Sequence, residues 1–185
     1  DKDITIVHNC TPNHIHTEIN KKILNAGKHL LTEKPLATSF SETKELIELK
    51  NSKPDLVAAV NFNYRMNPLV QEMKNKIMTE EIGKPYLIHG SYLQDWLLYD
   101  TDYNWRIEPE FSGPSRCIAD IGSHWMDMAQ HITGCKITEV CADLVTVLPI
   151  RKKPLSQVET FSLNKSDKYE EKQIITEDYG AVMFK

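Results

Sequence analysis

Apolar positions in the first sixty residues switch between short continuous runs and a helical period. Ile4-Thr5-Ile6-Val7 predicts a buried strand, and Thr11-Pro12 then supplies an N-cap and a first-turn proline for a helix carrying Ile15, Ile19 and Ile23. Gly27 stops that helix. Leu30-Leu31-Thr32 predicts a second short strand that ends at Glu33-Lys34-Pro35. Ser39 with Glu42 forms a capping box ahead of Leu46, Ile47 and Leu49, and a third apolar run, Leu56 to Val60, follows the Pro54-Asp55 turn. Strands alternating with helices predict a parallel sheet covered on both faces, half of a doubly wound α/β domain.

After Asn61 the pattern changes. Asn67-Pro68 starts a helix with Leu69, Val70, Met73 and Ile77 that ends near Gly83. Tyr86 to Leu93 and Val140 to Leu148 read as strands, with a helix around Asp120 between them, which predicts an α+β region with a largely antiparallel sheet. The division expected is 1–62 and 63–185. Gln94 to Ala119 has no clear period but mixes Trp96, Tyr99, Tyr103, Trp105 and Phe111 with charged residues, as in a loop able to stack on sugar rings or to fold over its own aromatic cluster. From Arg151 to Asp178 the chain is polar and lysine-rich, predicting an exposed excursion before a last strand, Ala181 to Phe184.

Composition narrows the function classes. The chain is 41% hydrophobic with 22 basic and 26 acidic residues, net charge -4, and has no basic stripe suited to a nucleic-acid backbone. No apolar run approaches the ~20 residues that span a bilayer, and no signal-peptide core follows Asp1-Lys2-Asp3. Cys10, Cys117, Cys135 and Cys141 form no CxxC pair, which suits reduced thiols and a cytoplasmic location. There is also no GxGxxG phosphate-binding turn, so the chain is expected to be a fragment that lacks the first strands of its dinucleotide fold and, at its other end, further sheet.

The chemistry concentrates in two places. At ~100° per residue, Asp120, His124, Asp127 and His131 form one polar stripe on a helix, flanked by Ile121, Trp125, Met128 and Ile132. There His124 would accept a proton and Asp120 would orient it; the same four side chains also resemble a metal-ligand set. Lys34 follows a strand, where open parallel sheets bind ligands beyond their carboxyl ends, and precedes a proline whose peptide bond can be cis. Cys10, His14 and His16 are assigned no metal.

These residues resemble the glucose-fructose oxidoreductase and inositol dehydrogenase (Gfo/Idh/MocA) family of NAD(P)-dependent sugar and polyol dehydrogenases. The resemblance rests on Thr11-Pro12-Asn13 with His16, on Ala26-Gly27-Lys28-His29 and on Glu33-Lys34-Pro35-Leu36-Ala37. It continues through Asn63-Tyr64-Arg65 with Pro68, and Asp120 to His124 with Asp127. The resemblance implies Lys34, Asp120 and His124 as catalytic residues. It implies Thr11, Pro12, Asn13, His16, Glu33, Lys34, Pro35 and Arg65 beside an NAD or NADP cofactor. Trp105 and Arg106 join Lys34, Asp120 and His124 on the sugar or polyol substrate, and a homo-oligomer through the open sheet is implied too. A non-catalytic sugar or dinucleotide sensor and a metal-dependent sugar isomerase or hydrolase are the alternatives.

Overall fold

The computed structural model describes residues 1–156 and 168–185. Strands β1 (Ile6–Asn9), β2 (His29–Thr32) and β3 (Ala58–Val60) form a parallel sheet in that order. Helices α1 (His16–Asn25) and α2 (Phe40–Asn51) connect them. Leu30 of β2 packs with Ile23 and Leu24 of α1, and Val7, Ile19, Leu49 and Leu56 close around that cluster. Both helices therefore cover one face. Because side chains alternate along a strand, Ile6 points to the other face, and it is exposed, so the expected two-sided cover is not present among the described residues.

The first helix begins later than its cap signal predicted. Thr11 donates through its backbone N–H and its hydroxyl to Asn9 Oδ1 (3.2 and 2.8 Å), so it closes an Asx turn instead of capping. A 3-10 turn, Asn13–Ile15, intervenes before α1. By contrast Ser39 caps α2 as expected, accepting from the Glu42 N–H, and Asn67 caps α3 (Pro68–Met78), accepting from the Leu69 N–H.

Beyond residue 62 the strand expected over Tyr86–Leu93 does not form: no described segment pairs with it, and Tyr86, Leu87 and Leu93 are exposed. The aromatic stretch instead contains a 3-10 turn, Trp105–Ile107, and the short α4 (Pro109–Ser112). A π-turn, Ile118–Gly122, leads into α5 (Ser123–Thr133), which packs against α3 and stops at Gly134 in the left-handed region (φ 73°). Strand β4 (Val140–Val145) pairs antiparallel with β7 (Tyr179–Phe184). The predicted exposed excursion is in part a second ladder, β5 (Ile150–Pro154) with β6 (Tyr169–Gln173). Two of its lysines are opposed by glutamates, Lys152 by Glu171 and Lys153 by Glu170, so part of the charge that reads as an irregular tract matches across two strands. Residues 157–167 of that tract lie outside the described residues.

Two carboxylates, Glu177 buried and Asp178 nearly so, tie β7 to the π-turn. Glu177 Oε1 accepts from the Ser115 hydroxyl (2.6 Å) and from the Arg116 and Ile118 N–H groups (2.9 and 3.0 Å). Asp178 accepts from the buried guanidiniums of Arg116 and Arg151. Arg151, 1% exposed, also donates to the carbonyls of Leu97, Tyr99 and Asp102 and so pins the aromatic loop from beneath. Gly180 lets β7 lie close to Ile118: a Cβ there would stand 2.5 Å from Ile118 Cδ1.

Candidate active site

A crevice of about 720 Å³ opens at the carboxyl ends of β1 and β2. One side is formed by the Cys10–Asn13 turn, His16, Glu33 and Lys34, and the other by Asp120, Ile121 and His124. Tyr64, Tyr92, Gln94, Trp96, Trp105 and Arg106 complete the wall. This is where an open parallel sheet presents unpaired strand ends to a ligand.

Lys34 and Asp120 meet across the crevice. The Lys34 ammonium donates to the Asp120 backbone carbonyl and to Asp120 Oδ1, both at 2.6 Å, with the lysine side chain 14% exposed. The Lys34-Pro35 peptide bond is cis. An ammonium has three donors and two are spent, so one N–H is left for a ligand oxygen.

The carboxylate expected to orient His124 is thus committed to Lys34. The reason is local: the π-turn interrupts the ideal helical spacing that placed Asp120 directly under His124. His124 is held by rings instead, with Tyr64 at 4.5 Å, Phe62 edge-on at 6.0 Å and Tyr92 at 6.3 Å between centroids. Its Nδ1 is buried without a hydrogen-bond partner among the described residues. Burial, helped by the Lys34 charge, pushes the His124 pKa below the usual imidazole value, against the opposing pull of Asp120 and Asp127. At neutral pH the ring is in its base form.

The rest of the predicted stripe diverges. Asp127 takes a two-pronged contact from Arg65, Nε to Oδ2 at 2.8 Å and Nη2 to Oδ1, which pins the crossing turn Asn63–Met66 to α5. Arg65 therefore serves Asp127, and it does not line the crevice. His131 lies 3.4 Å from Gln71 and away from the crevice. With Asp120 and Asp127 each taken by a cation, the four do not converge as metal ligands. Among the described residues the only close grouping of possible metal ligands is His8, Cys10 and Glu33, whose donor atoms lie within 4.8 Å of one another. Glu33 Oε1 is there already in contact with His8 Nε2 (3.1 Å) and accepts from Asn61 Nδ2 (2.7 Å).

On the sheet side, Thr11, Pro12 and Asn13 line the crevice as expected. His16 is 1% exposed, with Nδ1 and Nε2 each 2.7 Å from a backbone carbonyl, those of Pro35 and Thr11. It clamps the two strand-end turns together and commits both ring nitrogens to backbone. Pro35 contributes that carbonyl and is not part of the lining. Arg106 stacks over Trp105 (4.6 Å) and Trp96 (5.8 Å), making a flat cationic shelf. Sequence reasoning missed Tyr92 and Gln94, which lie in or beside a run that reads as strand, and left Tyr64 as part of a motif. An intervening pair of hydroxyl-bearing rings cannot be recognised from spacing when the partners are 28 residues apart.

No helix among the described residues is long and apolar enough to cross a membrane. Residues 1–62 match the family model described as oxidoreductase family, NAD-binding Rossmann fold, and residues 70–185 match the GFO/IDH/MocA C-terminal domain. Levoglucosan dehydrogenase of Pseudarthrobacter phenanthrenivorans is 38% identical over 152 residues, which cover 82% of this chain and 38% of that protein. Inositol 2-dehydrogenase of Salmonella typhimurium is 29% identical over 62% of this chain and 31% of its own length. A solved structure of levoglucosan dehydrogenase in complex with NADH and L-sorbose superposes with TM-score 0.87 at 34% identity, covering 100% of this chain and 46% of that one. An oxidoreductase domain protein from Kribbella flavida gives TM-score 0.87 at 29% identity, over 100% of this chain and 47% of its own. The chain thus spans less than half the length of these relatives. Both halves of one family are matched in order along it, and the chain belongs to the GFO/IDH/MocA oxidoreductase family.

Proposed function

We propose that the protein carrying this chain transfers hydride between a secondary alcohol of a sugar, polyol or cyclitol and a nicotinamide dinucleotide. Residues 1–62 act as the cofactor half and 63–185 as the substrate half. The observation that carries this reading is the Lys34–Asp120 contact beside His124 in one crevice at the strand ends. The crevice fits the nicotinamide end of the cofactor: it adjoins the Thr11-Pro12-Asn13 turn and is lined by Lys34, whose ammonium keeps one donor. The family model's description and the NADH complexes of levoglucosan dehydrogenase support NAD(H) as that cofactor.

Bound there, the cofactor supplies a hydride acceptor. The remaining N–H of Lys34 holds the alcohol oxygen and stabilises the charge that develops on it as the O–H proton leaves. Asp120 fixes the ammonium in place. His124, kept neutral by burial and by Lys34, takes that proton while the C–H electron pair departs as hydride, leaving a carbonyl. Glu33, Thr11 and Asn13 bound the cofactor side, and Trp105 with Arg106 bounds the sugar. The relatives named for levoglucosan and inositol support a cyclic polyhydroxylated substrate.

The exposed apolar side chains Val145, Tyr179 and Met183, which the register puts on one face of the β4–β7 sheet, support assembly into a homo-oligomer through that face, and the free cysteines support a reducing, cytoplasmic setting. The test is reduction of NAD and NADP by the complete protein against levoglucosan, inositols and common aldoses, repeated with Lys34→Ala and His124→Ala. Loss of turnover in both variants, with cofactor affinity little changed, is expected. Turnover that survives either change removes the proposed roles.

A further inference from the structure

The wall facing His124 contains a directed chain of hydrogen bonds. It starts at the Trp96 indole, which can only donate and which donates to Gln94 Oε1. That contact fixes the amide's orientation, so Gln94 Nε2 is the end that meets Tyr92, donating to its hydroxyl oxygen at 3.0 Å. The Tyr92 hydroxyl in turn lies 2.6 Å from the Tyr64 hydroxyl.

A donor count follows. Two phenols own two O–H protons, and the contact between them uses one. Gln94 offers Tyr92 a donor, so it cannot absorb the other, and no second acceptor for either hydroxyl is found among the described residues. One phenolic proton is therefore unspent. Hydrogen-bond chains strengthen when all members point the same way, and an oxygen that already accepts becomes a better donor. The polarity set at Trp96 then runs through Gln94 and Tyr92 to Tyr64, leaving the Tyr64 O–H as the free donor. Burial, the Tyr64 bond and the Asp120 charge push the Tyr92 pKa up to about 12, so the Tyr92 hydroxyl keeps its proton throughout the neutral range. Tyr64, Tyr92, Gln94 and Trp96 all line the crevice, and the Tyr64 ring is the one packed closest on His124.

We infer that Trp96, Gln94, Tyr92 and Tyr64 form a specificity device that presents one hydroxyl donor, on Tyr64, to an oxygen of the substrate other than the one being oxidised. The reacting alcohol oxygen is held by Lys34, so a ligand reaching both must carry a second oxygen near the reacting carbon. This selects vicinal polyols over simple alcohols. It rests on the dehydrogenase reading above and adds a substrate requirement to it. Tyr64 touches substrate; Tyr92 and Gln94 act through Tyr64 and are positioning residues.

The test compares wild type, Tyr64→Phe, Tyr92→Phe and the double variant in the complete protein. The substrates are the sugar it oxidises fastest among levoglucosan, D-glucose and myo-inositol, and the monodeoxy analogues of that sugar. These changes delete only hydroxyls, and circular dichroism checks that the fold is kept. Tyr64→Phe is expected to lower kcat/KM about tenfold to a hundredfold, as for deleting one buried hydrogen-bond partner. That loss should vanish for the single deoxy analogue whose missing oxygen Tyr64 holds. Tyr92→Phe should cost less and add almost nothing to Tyr64→Phe, because its effect passes through the same atom. Equal losses on every analogue, additive losses in the double variant, or no loss at all would overturn the device while leaving the dehydrogenase intact. Absence of nicotinamide reduction by the wild-type protein with every sugar would instead overturn the dehydrogenase reading, and the device with it.

Discussion

Truncating Glu177 to alanine tests how the reactive helix is held. One oxygen, Glu177 Oε1, serves Ser115, Arg116 and Ile118 at the entrance to the π-turn, and the residue is 6% exposed. In Glu177→Ala the Ser115 hydroxyl can turn elsewhere, but two backbone N–H groups lose their acceptor at a place with little access for water. Each such orphan costs about 1–3 kcal/mol, giving about 2–6 kcal/mol together. The Ile118 N–H is only partly buried, which favours the lower half of that range. Glu177→Gln retains an accepting carbonyl oxygen and should recover most of the loss; what it does not recover is the negative charge beside the buried Arg116. Urea unfolding of the complete protein measures the difference, and amide hydrogen exchange localises it to Arg116 and Ile118. A loss under about 1 kcal/mol with both amides still protected would show that something else accepts these hydrogens, and the account of the π-turn's anchorage would fall.

Other consequences are directly measurable. Lys34→Met removes a positive neighbour that holds the His124 pKa down, so that pKa rises; the acid limb of the residual rate profile should move to higher pH, and an unmoved limb would detach His124 from it. Asp127→Ala strands the Arg65 guanidinium and frees the crossing turn, so kcat should fall more than cofactor affinity, whereas unchanged kinetics would make the pair purely peripheral. Leu24→Ala, in a core position 1% exposed, should destabilise by about 2–5 kcal/mol in a urea titration.

The parts of the fold written in local pattern were readable before any coordinates. Apolar runs with Ser39 and Asn67 caps gave the parallel sheet, α2 and α3, and the Lys34 strand end was recognisable because it combines a strand stop with an X-Pro bond. What could not be read depended on distant partners. Thr11 looks like a cap until Asn9 competes for it, and Tyr86–Leu93 reads as a strand although nothing described pairs with it. Lys152 and Lys153 read as an irregular exposed tract until Glu171 and Glu170 stand opposite in a ladder. The site divides in the same way. Lys34, Asp120 and His124 announce themselves by residue type and spacing, but the pairing of Asp120 with Lys34 follows from a π-turn that a uniform helical period cannot express.

The way Arg151 grips the aromatic loop bears on how this crevice can diversify. The guanidinium holds Leu97, Tyr99 and Asp102 solely by their peptide oxygens, which every amino acid possesses. At those three positions the grip is indifferent to the side chain, so a substitution there leaves in place the loop that carries Trp96, Trp105 and Arg106 into the crevice wall. Replacing the peg itself forfeits that freedom at one stroke.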